Sequence, residues 1–259
     1  MYKAFDLNEH VALITGGNGG IGLGMAEALA QAGADIVIWG TNAEKNAAAK
    51  TKLENYGRRV HAQIVDVGDE QAVINGMLEA VATMGRIDSC FANAGISKYE
   101  NSFLDIGGDA YHRIMRVNLD GAIFTMREAC RHMKARAEAG DPGGSIIGVS
   151  SMAANFGVAK NEHYGASKIG VIGAVNGIAV EFARYGIRAN SLLPGWAESE
   201  LTSGLVVDDN FNKKAIGRVP LRRWGQPADF GGIAIYLASP ASSFHTGDAI
   251  LIDGGYSVY

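Results

Sequence analysis

The 259-residue sequence has little cysteine, little proline and no concentration of basic charge. Its two cysteines, Cys90 and Cys130, lie in apolar surroundings without metal-ligand spacing, so we predict buried free thiols, no metal site and a cytoplasmic protein. Five prolines and no regular glycine repeat exclude a collagen-like chain. The net charge is −4 and no run of five Lys or Arg occurs, so we expect no nucleic-acid partner.

A long apolar segment is also missing. The longest charge-free stretch near the start, 11–26, is interrupted by Gly-Gly pairs and is shorter than the roughly 20 apolar residues that cross a bilayer. The first ten residues lack the apolar core of a secretory signal. We therefore expect no membrane partner, while an apolar content of 47 % excludes general disorder.

Glycine, in contrast, is abundant: 35 residues, where an average usage of about 7 % would give roughly 18. Because the chain is apolar enough to fold, we expect many of these glycines to mark places where the backbone approaches another group closely.

Strand-like and helical patterns alternate from one end of the chain to the other. The strand-like runs are short and rich in Val and Ile, which is typical of strands buried on both faces of a parallel sheet. The seven predicted strands are Val11–Ile14, Ile36–Trp39, Val60–Val65, Ser89–Ala92, Ser145–Val149, Arg188–Leu192 and Ala249–Ile252. The six predicted helices are Gly20–Ala32, Asn42–Tyr56, Asp69–Met84, Asp109–Arg136, Tyr164–Tyr185 and Pro227–Ala238. This alternation predicts one α/β domain over 1–259, a doubly wound parallel sheet with helices on both faces.

Residues 196–222 differ from the rest, because their polarity is mixed and their periodicity is weak. A long stretch of this kind between two well-defined elements is often a binding loop. We predict that 196–222 is a substrate-binding loop or lid.

The first strand leads directly into a glycine-rich turn, Thr15-Gly16-Gly17-Asn18-Gly19-Gly20-Ile21-Gly22, and a helix follows at once. A bound diphosphate needs the main chain to come close, and the N–H groups and positive dipole end of a helix start attract its charge. The turn therefore predicts a dinucleotide site at the start of a βαβ unit.

A second group of polar residues has the pattern of acid–base chemistry. Tyr164 and Lys168 are four residues apart, so they lie one turn apart on one helix face. A neighbouring ammonium group favours the phenolate, so we expect Lys168 to lower the tyrosine pKa from its usual value of about 10. Ser151 lies 13 residues before Tyr164, just after the fifth strand, and is not part of a G-x-S-x-G elbow. Asn118 interrupts an apolar helix face, where a buried amide needs partners.

These motifs together resemble the classical short-chain dehydrogenase/reductase family. The glycine turn has the form T-G-x-x-x-G-x-G, and the other motifs follow it in order as far as Asp253-Gly254-Gly255. The resemblance implies a Rossmann-type fold that binds NAD or NADP, and a catalytic tetrad of Asn118, Ser151, Tyr164 and Lys168. In the family the serine holds the substrate oxygen, and the asparagine binds a water beside the lysine. A purely structural role for Asn118 in the core remains the alternative.

The resemblance also implies which residues contact the coenzyme. Asp66 would hydrogen-bond the adenine ring, Pro194 and Gly195 would flank the nicotinamide, and Ser199 would contact its carboxamide. The full predicted set is Gly16, Asn18, Gly20, Ile21, Gly22, Thr41, Asp66, Val67, Asn93, Ala94, Gly95, Tyr164, Lys168, Pro194, Gly195 and Ser199.

The choice between NAD and NADP is read at the end of the second strand. Gly40 stands where the family has an acid for the ribose, Thr41 stands where it often has an arginine, and Gly19 stands where NADP-dependent members often carry a base. A 2′-phosphate would therefore lack an evident cation, which favours NAD. Lys45 and Arg58 remain as alternative sources of such a cation.

For the substrate, we predict contacts from Ser151, Asn155, His163 and Trp196, with exposure at the surface as the alternative for His163. A pocket wall made of these residues would suit a mid-sized alcohol or ketone, a sugar acid or a ring compound. We expect His112 and His132 to be solvated. The predicted reaction interconverts a secondary alcohol and a ketone. The alternative is a non-catalytic dinucleotide sensor or scaffold, and the Tyr164–Lys168 pair disfavours both this and a methyltransferase.

The last predicted helix before the sixth strand is apolar almost all round, so we expect it to be buried. It carries small residues mainly at helical spacing, which allow another backbone to approach closely. They are Ala166, Gly170, Gly173, Ala174 and Gly177. The stripe could pack within the subunit, but in the family this helix lies in a dimer interface, commonly within a tetramer. We therefore predict a symmetric homotetramer.

Overall fold

A computed structural model describes residues 2–259. Seven parallel strands form one sheet in the order β3-β2-β1-β4-β5-β6-β7. The strands are β1 Val11–Thr15, β2 Asp35–Gly40, β3 Val60–Ile64, β4 Ser89–Ala92, β5 Gly144–Val149, β6 Ile187–Pro194 and β7 Ala249–Ile252. Each predicted strand is present, and the doubly wound sheet is confirmed.

Helices cover both faces of this sheet. They are α1 Gly20–Gln31, α2 Ala43–Glu54, α3 Glu70–Met84, α4 Gly108–Met115, α5 Gly121–Glu138, α6 Glu162–Phe182, α7 Ser203–Val206, α8 Asp209–Ala215 and α9 Gly231–Ala238. The helix predicted over 109–136 is present over 108–138, and a π-helical turn, Arg116–Asp120, joins α4 to α5 within it. The stretch 196–222 contains α7 and α8.

Two apolar cores lie on opposite faces of the sheet, one beneath α3, α5 and α6 and the other beneath α1, α2 and α9. Neighbouring strand residues alternate between them: Leu13 packs into the first and Ile14 into the second. The predicted buried thiols, Cys90 and Cys130, lie in the first core. Burial raises the pKa of Cys130 to about 12 and raises that of Cys90 further, so both thiols stay unreactive.

The strand order places a crevice between β1 and β4. From β1 the chain builds the sheet outward to β3, and it then returns to place β4 on the other side of β1. Loops that follow neighbouring strands on either side of this reversal diverge, so a ligand can lie at the carboxyl ends of the strands. The loops after β1, β4, β5 and β6 therefore meet at one edge.

The expectation that α6 is buried is wrong for one face. Ala166, Ile169, Gly173, Gly177 and Val180 are exposed, and they repeat every three or four residues along the helix. The predicted small-residue stripe is divided, because Gly170 packs on Leu119 within the subunit while nothing lies near Gly173 or Gly177. Among residues 2–259, the segment Glu162–Tyr185 alone is long and apolar enough to cross a membrane, a test that core helices of soluble proteins also pass.

Candidate active site

The glycine turn after β1 has the geometry of a phosphate cradle. Gly16 and Gly20 have φ values of +63° and +49°, which side chains rarely adopt. A Cβ at Gly22 would overlap the carbonyl oxygen of Gly16. Gly19 caps α1 without a side chain, so no side-chain oxygen takes up the N–H groups at the helix start. These features fit the diphosphate of a dinucleotide, since free N–H groups and close backbone approach are what it requires.

The first strand is tied to the fourth directly beneath this turn. The backbone N–H groups of Asn93 and Ala94 both donate to the Thr15 hydroxyl at 2.9 Å. The Asn93 amide donates to the Thr15 carbonyl at 2.8 Å. These bonds hold the loops after β1 and β4 at a fixed separation.

A cavity of about 360 Å³ runs along the carboxyl edge of the sheet from the glycine turn to Leu205. Its volume is in the range of small-molecule sites. Most of the predicted site residues line it: Gly16, Asn18, Gly20, Ile21, Gly22, Asn93, Ala94, Gly95, Ser151, Tyr164, Lys168, Pro194, Gly195, Trp196 and Ser199. Six predicted residues do not line it: Thr41, Asp66, Val67, Asn118, Asn155 and His163.

Tyr164 and Lys168 lie side by side at the start of α6, but their electrostatic relation differs from the expectation. The Lys168 ammonium group donates to the Val149 carbonyl at 2.9 Å and lies 5.7 Å from the centre of the Tyr164 ring. Burial lowers the pKa of Lys168 to about 8. Burial raises the pKa of Tyr164, the nearby Ser151 hydroxyl opposes that rise, and Tyr99 adds to it. The prediction that Lys168 lowers the tyrosine pKa is therefore wrong for the protein alone, because burial disfavours both charged forms.

The two serines after β5 have distinct roles. The Ser151 hydroxyl accepts a hydrogen bond from the Ala153 N–H at 3.1 Å and begins the turn Met152–Ala154, while it also faces the cavity. The Ser150 hydroxyl donates to the Lys168 carbonyl at 2.7 Å and fixes α6 against the end of β5. Ser150 thus positions α6, whereas Ser151 caps the turn Met152–Ala154.

Asn118 is fully buried in the π-helical turn, and its side chain is fully engaged. Its amide donates to the Ile96 carbonyl at 2.9 Å and to the Ser167 hydroxyl at 3.2 Å, and its oxygen accepts from the Ile96 N–H at 2.8 Å. A Cβ at Gly95 would lie 3.3 Å from the Lys168 nitrogen and 3.4 Å from the Asn118 oxygen, so these two groups flank Gly95. The structural role of Asn118 is evident, and its part in a proton relay stays a prediction.

The end of β2 explains why the acid of the family is missing. A Cβ at Gly40 would overlap the Asn18 amide, which donates to the Asn46 side chain at 2.7 Å. The Asn46 amide in turn donates to the carbonyls of Gly40 at 3.0 Å and Gln63 at 2.9 Å. Sequence reasoning missed Asn46, whose signal is a polar residue on the inner side of the alanine-rich α2. No carboxylate fits at position 40 while this hydrogen bond is present.

The two alternative cations lie at opposite edges of the sheet. Arg58 pairs with Asp35 at 3.2 Å, at the amino end of β2, so the suggestion that it reaches the ribose is wrong. Lys45 lies in the first turn of α2 and forms an ion pair with Glu200, which lines the cavity. Lys45 therefore links α2 to the segment 196–222.

The predicted adenine contacts lie beyond the cavity. Asp66 pairs with Arg116 at 3.0 Å and accepts the Gly68 N–H at 2.9 Å, so both of its oxygens have partners. Asp69 caps α3. Thr41 is exposed and Val67 is buried. The contacts of these residues with adenine stay predictions.

Trp196 of the segment 196–222 lines the cavity and packs edge to face on Phe211 and Trp224, with ring centres 5.0 and 6.0 Å away. Asn155 is exposed. His163 is buried, which excludes the alternative of surface exposure, and neither ring nitrogen has a partner among residues 2–259.

The two histidines expected to be solvated differ. His112 is exposed as expected, whereas His132 is half-buried and accepts the Ile87 N–H at 3.1 Å. Burial accordingly lowers the pKa of His132, so the expectation of a solvated side chain is wrong there.

Known dehydrogenases and reductases resemble this protein over nearly its whole chain. A family model described as enoyl-(acyl carrier protein) reductase matches residues 16–257. Gluconate 5-dehydrogenase of Gluconobacter oxydans is 34 % identical over 98 % of this chain and 97 % of its own length. A short-chain type dehydrogenase/reductase from Mycobacterium marinum is 32 % identical, with a TM-score of 0.93 over 99 % of both chains.

A third relative was solved with a coenzyme. It is a gluconate 5-dehydrogenase from Burkholderia cenocepacia in complex with NADP and tartrate, 37 % identical with a TM-score of 0.93 over 99 % of this chain and 98 % of its own. Since the glycine cradle and the Ser151, Tyr164 and Lys168 side chains line one cavity in a fold that these relatives share, the chain belongs to the classical short-chain dehydrogenase/reductase family.

Proposed function

We propose that Ser151, Tyr164 and Lys168 carry the proton chemistry of an NAD(P)-dependent oxidoreductase that interconverts a secondary alcohol and a ketone. One observation supports this above the others: these three side chains line one end of a cavity whose other end is the glycine cradle. The relatives are named as dehydrogenases and reductases, which favours the enzyme over the non-catalytic sensor.

The protein supplies orientation and the proton, and bound NAD(P) supplies or accepts the hydride. The Ser151 hydroxyl holds the reacting oxygen. Burial keeps the Tyr164 phenol protonated, which is the form that donates a proton to a carbonyl oxygen during reduction. In the opposite direction the phenolate takes the proton of the alcohol. Lys168, held by the Val149 carbonyl, places a positive charge beside that phenolate.

For the coenzyme we propose a preference for NAD. Gly40 and the Asn18–Asn46 hydrogen bond leave neither an acid nor an arginine at the end of β2. Lys45 is the remaining candidate cation, and it is paired with Glu200. A 2′-phosphate of nearly two negative charges would have to break this pair.

The proposed function is tested with Tyr164→Phe, which removes one hydroxyl from the cavity. We expect turnover to fall by about 10³-fold or more, while NADH and NADPH still bind with affinities within about threefold of wild type. Fluorescence titration with both coenzymes measures the binding and also the preference. Full activity in the variant would overturn the proposed role of Tyr164, and tighter binding of NADPH than of NADH to the wild type would reverse the proposed preference.

For the assembly we propose a cytoplasmic homotetramer without nucleic-acid or membrane partners. The exposed apolar face of α6, with Ile169 at 55 % and Val180 at 84 % exposure, supports association between copies of the chain. The buried free thiols of Cys90 and Cys130 fit a reducing compartment.

Within each subunit we propose that 196–222 closes over the substrate. Trp196, Leu201 and Leu205 of this segment line the cavity, and its Glu200 is held by Lys45 of α2.

A further inference from the structure

Asn161 stands at the start of α6 but does not cap it. An asparagine in this position usually accepts a hydrogen bond from a backbone N–H of the first helical turn. Here α6 has no side-chain cap, and the Asn161 amide instead donates to the Ser97 hydroxyl at 2.7 Å. The side chain is thus turned toward the loop after β4, on the opposite wall of the cavity.

The other half of this amide is left without a partner. Asn161 is 1 % exposed, and its side-chain oxygen is buried with no hydrogen bond from any residue in 2–259. An unmade cap and a buried unpartnered acceptor both cost stability. Since Asn161 lines the cavity, a ligand donor is the group that would remove this cost.

Tyr99 lies beside Asn161 and close to the catalytic tyrosine. Tyr99 is 43 % exposed, its partial burial raises its pKa, and the adjacent Asn161 side chain partly opposes that rise. Tyr99 in turn adds to the raised pKa of Tyr164. Ser97, Tyr99 and Asn161 all line the cavity, so three polar side chains are grouped next to the reacting corner.

The charge of the cavity wall restricts what this group can bind. Among the residues of 2–259 that line the cavity, Lys168 is the only cation, and its nitrogen is held by the Val149 carbonyl. Glu200 is the only carboxylate. A substrate carboxylate would therefore meet no free positive charge, and it has no proton to donate to Asn161 at neutral pH.

We propose that Ser97, Tyr99 and Asn161 form a second oxygen-binding subsite, which takes a hydroxyl on the carbon adjoining the reacting one of a neutral polyol or hydroxyketone. Such a hydroxyl donates to the Asn161 oxygen and accepts from the Tyr99 hydroxyl, while Ser97 holds the amide in position. The inference rests on the proposed alcohol–ketone chemistry and names its substrate class. It departs from the relatives named for gluconate, whose substrate carries a carboxylate.

Two matched pairs of probes test the subsite. The diol trans-1,2-cyclohexanediol and the mono-alcohol cyclohexanol differ by one neighbouring hydroxyl, and D-glucitol and D-gluconate differ by a neutral and a charged end. We expect the wild type to favour the diol over cyclohexanol, and glucitol over gluconate, by about 10- to 100-fold in kcat/KM.

The variants Asn161→Ala and Tyr99→Phe separate recognition from catalysis. We expect each to lower the ratio of kcat/KM for the diol to kcat/KM for cyclohexanol by about 10-fold or more, mainly through KM for the diol. Asn101→Ala, an exposed asparagine in the neighbouring loop, is the matched control and should leave all four probes unchanged. Tyr99→Phe keeps the aromatic ring and removes only the hydroxyl. It therefore still tests the subsite if Asn161→Ala fails to fold.

The outcomes separate the subsite from the reaction. An equal loss for diol and cyclohexanol in both variants would overturn the subsite alone, and a preference for gluconate over glucitol would overturn its restriction to neutral substrates. Turnover of simple secondary alcohols without any turnover of diols or polyols would also overturn it. A folded, coenzyme-binding wild type that is inert toward every probe and toward a wider panel of secondary alcohols would overturn the proposed function itself.

Discussion

Lys168 is a charged group held in the interior, and its burial has a cost that can be measured. The lowered pKa of about 8, against 10.5 for a free lysine, corresponds to about 3 kcal/mol at pH 7. We expect Lys168→Met, which keeps the length and removes the charge, to abolish turnover. Removing the buried charge should also raise the free energy of unfolding at pH 7. The net gain should be about 1–3 kcal/mol, because loss of the hydrogen bond to the Val149 carbonyl offsets part of it. Chemical denaturation of both proteins measures the difference.

The difference in the free energy of unfolding between Lys168→Met and wild type should depend on pH. Between pH 8 and 10.5 the unfolded chain holds the Lys168 proton while the native state releases it, so the wild type becomes more stable relative to the variant as pH rises. The advantage of Lys168→Met should therefore be full below pH 8 and should shrink by pH 10. Parallel stability curves for the two proteins across this range would show that burial does not penalise the charge.

Some single residues of the site were beyond prediction because their roles depend on contacts distant in sequence. Ser150 and Ser151 are adjacent and both line the cavity, and the sequence does not show which hydroxyl bonds the Lys168 carbonyl and which one begins the turn Met152–Ala154. No sequence feature distinguishes Asn46 within α2 or Asn161 just before α6. Their partners, Asn18 and Ser97, lie 28 and 64 residues away.

At the scale of elements, the approach of α1 to the turn before it makes Gly22 irreplaceable. A Cβ there would overlap the Gly16 carbonyl oxygen and would lie 2.6 Å from the Asn93 amide. We expect Gly22→Ala to lower the free energy of unfolding by about 1–3 kcal/mol and to weaken NADH binding by about tenfold or more. Thermal or chemical denaturation and fluorescence titration measure the two effects.

Gly232 is the matched control, because it also lies in the first turn of a helix, α9, but nothing surrounds its Cβ position. Gly232→Ala should leave NADH binding unchanged and stabilise the protein by about 0.5–1 kcal/mol through helix propensity. Equal effects of the two substitutions would show that the close approach of the Gly16 backbone is not the reason for a glycine at position 22.

The elements that the sequence predicted are those whose signal is local. All seven strands are short apolar runs, and α1, α2 and α3 carry their own caps or periodicity. The π-helical turn between α4 and α5 has no such signal, because Asn118 within it bonds Ile96, 22 residues away. Likewise α8 is held through Phe211, which packs on Trp196 and Trp224.

At the scale of the whole molecule, strand order decides which predicted contacts meet. The loops after β1, β4, β5 and β6 converge beside the reversal of the sheet, and the predicted residues on them line one cavity. Those after β2 and β3 lie farther out on one side of the sheet, which is why Thr41, Asp66 and Val67 lie outside that cavity. The order of motifs along the chain predicted that the site lies at this edge of the sheet. Which charged side chains line the cavity could be seen only in the folded structure.

The exposed face of α6 carries the last prediction, which concerns assembly. Single exposed apolar residues are common, but a continuous apolar stripe along one helix is characteristic of an interface. The absence of side chains at Gly173 and Gly177 lets a second helix approach closely, and Ile169 and Val180 would then be covered. We expect the wild type to elute at the mass of four chains. Val180→Asp should dissociate it, since it would bury an unpaired carboxylate in the interface without disturbing the subunit core.

Leu78→Asp is the control for this prediction. Leu78 is 66 % exposed on α3, away from the stripe, and it receives the same change of polarity and charge. Light scattering should find this variant unchanged in mass, and its thermal midpoint should stay above that of Val180→Asp, because association stabilises the folded subunit. A wild type that is monomeric at micromolar concentration, or two variants with the same mass as the wild type, would contradict an interface on α6. Loss of assembly in Val180→Asp alone would show that the apolar face and its two open glycines are there to receive another copy of this helix.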